Sequence, residues 1–147
     1  MTTTDGRTIG LAHYAGRAVA ERVLDRHGLA FFDHLALRAA HAADGPLTLE
    51  ELTDHLTTSL KGDPVQYRET VTSLAAKGYL DQDAALRLTL SPAGRALFTT
   101  ATAEIAEVSA RIYAGIPEED LTTAGRVLGL VTQRANAELT ALTAPRG

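Results

Sequence analysis

The sequence predicts a mostly α fold with a small β-wing of two or three strands, and three observations predict it. Apolar residues recur at intervals of three and four along most of the chain. One stretch after Gly78 alternates at two instead. Gly28, Gly45-Pro46, Gly78 and Gly115 fall between these stretches as punctuation.

The elements follow in order. Ile9, Ala12, Gly16, Val19 and Val23 share one helix face, and Gly28 closes that helix because glycine takes positive φ cheaply. A second helix runs from about Leu29 toward Ala43 and stops at Gly45-Pro46. Leu49, Leu52 and Leu56 give a third helix its apolar side. Tyr67, Val71 and Leu74 do so for a fourth, which Asp63-Pro64 starts as N-cap and first-turn proline and Gly78 ends. The segment Thr57 to Asp63 between them reads as a long turn. Tyr79 and Leu80, then Leu86, Leu88 and Leu90, alternate as half-buried strands must, around the short acidic connection Asp81-Gln82-Asp83-Ala84-Ala85. From Pro92 onward, Leu97, Ala101, Ile105, Val108 and Ile112 form one long stripe ending near Gly115. Pro117 and the acidic Glu118, Glu119 and Asp120 suit a helix N-terminus. Leu121, Ala124, Leu128, Val131, Ala135, Leu139 and Leu142 form the last stripe.

Composition narrows the classes of function. The chain has 147 residues, 45% of them hydrophobic and 22% charged, which suits a single core-forming globule. It has no cysteine, so a disulfide framework, a thiolate metal site and a thiol redox switch are excluded. No apolar run reaches the roughly 18 residues of a membrane span, and Met1 to Arg7 is polar, so a cytoplasmic location with no membrane partner is expected. His34 and His41 lie two helical turns apart, roughly 10 Å, too far to share one ion. No nucleophile elbow, phosphate-cradling glycine loop or paired-carboxylate arrangement is present, so neither an enzyme, a metal nor a cofactor is expected.

Two helices followed by a ribbon are how a winged helix-turn-helix is written. The carrying pieces are Leu49-Glu50-Glu51-Leu52-Thr53-Asp54-His55-Leu56, Leu74-Ala75-Ala76-Lys77-Gly78-Tyr79-Leu80 and Leu88-Thr89-Leu90-Ser91-Pro92-Ala93-Gly94. With long helices on either side, the chain resembles the MarR family of bacterial transcription regulators over nearly its whole length. The resemblance implies one winged-helix domain over 1–147, with the winged unit at about 29–95 and N- and C-terminal dimerisation helices at about 8–27 and 92–143. It also implies a homodimer that sets two recognition helices about 34 Å, one DNA turn, apart on a double-stranded operator. A small aromatic or phenolic effector would sit between the dimerisation helices and the winged unit.

Candidate residues follow from side-chain chemistry. On the recognition helix, Gln66 and Arg68 suit base edges, while Thr70, Thr72 and Ser73 suit phosphate. Lys61, Lys77 and Arg87 add positive charge nearby. For the effector, the candidates are His13, Tyr14 and Arg17 on the first helix and Phe31, Phe32, His34, Arg38 and His41 on the second. His13 and Arg17 are four apart, so they share a face and suit a carboxylate.

The charges pull the other way. The net charge is −4, so attraction to phosphate has to come from a local patch. Between Leu47 and Arg95, Lys61, Arg68, Lys77, Arg87 and Arg95 stand against Glu50, Glu51, Asp54, Asp63, Glu69, Asp81 and Asp83. Glu69 lies on the recognition helix itself. The alternative reading is a winged-helix protein that acts as a protein-interaction module through its Pro64 to Lys77 helix, without strong DNA binding.

Overall fold

The structure, a computed structural model, describes residues 3–146. Its helices are α1 (Gly6–Asp25), α2 (Phe31–Ala42), α3 (Leu49–Leu60), α4 (Pro64–Ala76), α5 (Pro92–Tyr113) and α6 (Glu118–Thr143). Its strands are β1 (Leu47–Thr48), β2 (Leu80–Gln82) and β3 (Arg87–Leu90). The chain divides into two compact units, the first ending at Val108 and the second beginning at Ser109.

In the first unit, local chemistry sets the helix starts. The Asp5 carboxylate accepts from the Thr8 amide at 2.7 Å, and that contact holds its carboxyl below the usual carboxylate range. Asp33 reaches back to the Ala30 amide at 2.8 Å to begin α2. Thr48 and Glu51 form a reciprocal capping box at α3, at 3.1 and 2.9 Å. Asp63 accepts from the Val65 amide at 2.9 Å, with Pro64 in the first turn of α4. Gly28 at φ +67 and Gly78 at φ +82 end the turns after α1 and α4, where a side chain would be strained.

The small sheet has the order β1-β3-β2, both pairings antiparallel. Leu47 pairs with Leu88 and Leu80 with Leu90, so β3 is the shared central strand. Leu80 and Leu88 turn inward, where they join Leu24, Leu37, Leu52, Leu56, Tyr67, Val71, Leu74 and Phe98 in one buried cluster. Each such side chain contributes roughly 1.5–3 kcal/mol by leaving water, and the faces predicted for the third and fourth helices are the ones that do so.

Two expectations about the connections are corrected. Thr57 to Leu60 are not a long turn: they form the last turn of α3, so only residues 61–63 link it to α4. The tightness has a visible cause. Lys61 adopts the left-handed conformation at φ +61, and the Tyr67 phenol oxygen lies 2.0 Å from where a Cβ on Gly62 would stand. Leu86 is likewise not an inward strand residue. It sits at the wing tip, exposed, at φ +61, because Asp83 closes the turn there.

The second unit holds the end of α5, the Gly115 turn at φ +81 and α6. The Pro117 carbonyl accepts from the Leu121 amide at 3.1 Å as α6 begins. No side chain of α6 is buried, and Leu128, Leu130, Val131, Leu139 and Leu142 are all exposed. Exposed apolar side chains thus run along much of α6.

Candidate nucleic-acid interface

The helix pair α3 and α4 is built by the three-residue turn and the buried Tyr67, Val71 and Leu74, which fix the face α4 gives to the core. What remains outward is Pro64, Val65, Gln66, Arg68, Glu69, Thr72 and Ala76, with Thr70 and Ser73 at the margin. Thr70 and Thr72 donate their hydroxyls to the carbonyls one turn back, at 2.9 and 2.8 Å, which leaves each oxygen free only to accept. Phosphate needs donors, so these two hydroxyls must turn to serve it.

The cations are mostly engaged by the chain itself. Arg68 on α4 is ion-paired with Glu50 in the first turn of α3. Arg87 donates from Nε to Asp83 at 3.0 Å across the wing tip. Asp83 also accepts from the backbone amides of Ala85 and Arg87, both at 2.9 Å; backbone contact with Arg87 is the first cause of its lowered carboxyl pKa. Lys61 folds back so that its ammonium donates to the Thr58 carbonyl. Lys77 and Arg95 are exposed and have no ion pair among the described residues.

The wing is anchored behind Gly78 by one serine. Ser91 donates its hydroxyl to the Gly78 carbonyl at 2.6 Å and accepts from the Gly94 amide at 3.0 Å. Its own amide donates to the Tyr79 carbonyl at 3.1 Å. This ties the end of α4, the start of β2 and the first turn of α5 into one joint.

The effector candidates fall into separate groups. Arg17 pairs with Glu21 at 2.8 Å and lies over Phe31 and Phe32, 4.4 and 5.3 Å from their centroids. His13 and Tyr14 are exposed and stand edge to face with each other at 5.8 Å. His34 is buried, stacked on Phe98 at 5.5 Å, with Nε2 in hydrogen-bond contact with Thr102 Oγ1 at 3.2 Å. His41 packs on the same Phe98 ring at 4.9 Å, and Arg38 is exposed. Phe98 and Thr102 lie some sixty residues from His34 in sequence, and no local signal points to them.

Burial, and then the Arg38 charge, pull the His34 pKa down to about 4. The unfolded chain therefore binds a proton that the folded chain refuses between pH 6.5 and 4. Stability is full above pH 6.5 and falls as pH drops through that window, by about 2–3 kcal/mol. Urea melts at pH 7 and pH 4.5 should show this loss, and His34→Gln, which keeps a polar atom toward Thr102 without titrating, should flatten it. An unchanged slope in that variant would assign the acid sensitivity to other groups.

A helix pair backed by a three-stranded ribbon defines a winged-helix unit. No protein-family model and no curated protein sequence matches the chain. Solved structures do match it in shape. MarR of Staphylococcus aureus, in complex with salicylate and kanamycin, superposes with a TM-score of 0.79 at 17% identity, over 90% of this chain and 90% of that one. A MarR family protein of Mycobacterium tuberculosis, in complex with DNA, gives 0.70 at 22% identity, over 88% and 98%. CouR of Rhodococcus jostii RHA1, bound to p-coumaroyl-CoA, gives 0.71 at 18% identity, over 86% and 89%. The fold is the winged-helix fold of MarR family transcription regulators.

Proposed function

We propose that the protein is a dimeric DNA-binding transcription regulator of the MarR type, released from its operator by a small aromatic or phenolic ligand. The observation that carries the reading is the unit from Leu47 to Leu90: a capped α3, a three-residue turn, α4 with an exposed polar face, and the β1-β3-β2 ribbon beside it. A winged-helix relative in fold is known in complex with DNA, which favours this reading over a protein-interaction module. The DNA-contact set is Gln66, Arg68, Thr70, Thr72 and Ser73 on α4, with Lys61, Lys77 and Arg87 around it. The chain acts as one regulator over its whole length, and a second copy covers the exposed apolar residues of α1 and α6, among them Leu11, Tyr14, Leu128, Val131 and Leu139. No helix among the described residues is long and apolar enough to cross a membrane.

The ligand reading rests on an aromatic and cationic surface near the α1–α2 turn. Arg17 over Phe31 and Phe32 suits a planar ring carrying a carboxylate, and His13, Tyr14, His34 and Arg38 lie on the same two helices. Two fold relatives hold salicylate and p-coumaroyl-CoA. A ligand acts here only through its preference between two separations of the recognition helices.

Titrating the DNA upstream of the protein's own gene at 50 to 200 mM salt tests the reading. With several phosphate contacts, the affinity should fall at least about a hundredfold over that range. Binding that is absent or indifferent to salt would overturn it.

A further inference from the structure

We propose that Glu50 is a built-in competitor for DNA phosphate, holding Arg68 until a duplex displaces it. The inference rests on the DNA-binding reading above. Glu50 stands in the first turn of α3 and Arg68 eighteen residues later on the outward side of α4, and the two form the ion pair that joins the exposed sides of the helix pair.

The pair is not needed to build the fold. The Arg68 side chain is 50% exposed and that of Glu50 66%, and solvent-screened pairs of this kind add little to stability. Nor is Glu50 needed to start its helix, since Glu51 already completes the capping box with Thr48. What the carboxylate does is neutralise the one arginine of α4 at the position where the helix offers positive charge. Phosphate must take the guanidinium from Glu50 and tolerate the carboxylate beside it. Binding is therefore weaker than the cation inventory alone implies, and fewer counterions are released per face. Such a brake keeps an acidic protein off random DNA while leaving a correctly shaped site able to outcompete a weak surface pair.

The test compares the intact protein with Glu50→Gln, Arg68→Gln and the double variant. The probes are a labelled duplex from upstream of its gene and a scrambled duplex, followed by fluorescence anisotropy at 50 to 200 mM salt. Glu50→Gln should bind both duplexes about five- to tenfold more tightly at 100 mM salt, with a salt slope steeper by about 0.9 per face. In the Arg68→Gln background the same change should shift binding less than twofold. The Arg68 guanidinium resonance of the free protein, read by NMR, should move in Glu50→Gln without any DNA present. If the intact protein binds with a salt slope but Glu50→Gln does not tighten it, the inference fails and the DNA-binding reading stands. A gain that persists without Arg68 shows simple repulsion and also overturns it. If no form binds either duplex, both fall.

Discussion

Gly94→Ala is expected to destabilise the protein by about 3 kcal/mol or more, although an alanine in a helix normally improves on glycine by about 1 kcal/mol. The reversal comes from one contact. A Cβ at position 94 would stand 2.0 Å from the Tyr79 carbonyl oxygen and 2.9 Å from its carbon, and both are backbone. That carbonyl cannot step aside, because the Ser91 amide donates to it and the Ser91 hydroxyl is fixed between Gly78 and Gly94. The first turn of α5 would have to leave β2, and the wing would lose its anchor. Gly16, also inside a helix, has nothing within 4 Å of its would-be Cβ and serves as the control. Gly16→Ala should hold or raise the urea midpoint while Gly94→Ala lowers it sharply. Equal midpoints would show that the α5 junction yields more readily than the geometry implies.

Arg68→Glu carries the largest expected effect on function. It exchanges a cation of α4 for an anion and sets that anion against Glu50, a change that the proposed dimer would carry twice. A specific arginine contact is worth about 1–3 kcal/mol, so losing two and adding repulsion should weaken operator binding about a hundredfold or more. The fold should barely notice: an exposed pair contributes less than about 1 kcal/mol, so the melting curve should shift only slightly. Anisotropy on the upstream duplex beside a thermal melt separates the two. Binding within threefold of the parent, at equal stability, would show that α4 does not face the duplex.

Much of this architecture is legible in the residues because it is written locally. The inward residues of α3 and α4, the starts at Asp63-Pro64 and Glu118, and the turns at Gly28, Gly78 and Gly115 depend on neighbours within one helical turn. The misreadings occur where a side chain folded over nearby backbone, rather than residue spacing, decides. Thr57 to Leu60 look like a polar turn, yet the Tyr67 phenol packed over Gly62 shortens the link and lets α3 run on. Leu86 fits the alternation of a strand, but Asp83 accepting from two backbone amides folds the tip and turns Leu86 outward.

The candidate site divides in the same way. The polar face of α4 follows from the spacing of Tyr67, Val71 and Leu74 and needs nothing else. That Arg68 belongs to Glu50, or that Arg17 lies over the Phe31 ring, depends on which helices pack together, whereas the Arg17–Glu21 pair is one turn along α1 and follows from spacing alone. His34 is an effector candidate in sequence, and its burial against Phe98 and Thr102 is a property of the assembled core. Single residues were readable as chemistry, but their partners on other helices were not.

The central claim is that two copies of α4, presented by a dimer, grip one face of a duplex. Footprinting of the upstream fragment by the intact protein tests it most directly. Two protected patches related by a two-fold, with centres about one helical turn or roughly 34 Å apart, and lost together in Arg68→Glu, are predicted. Uniform cleavage at saturating protein, or a single patch without symmetry, would contradict it.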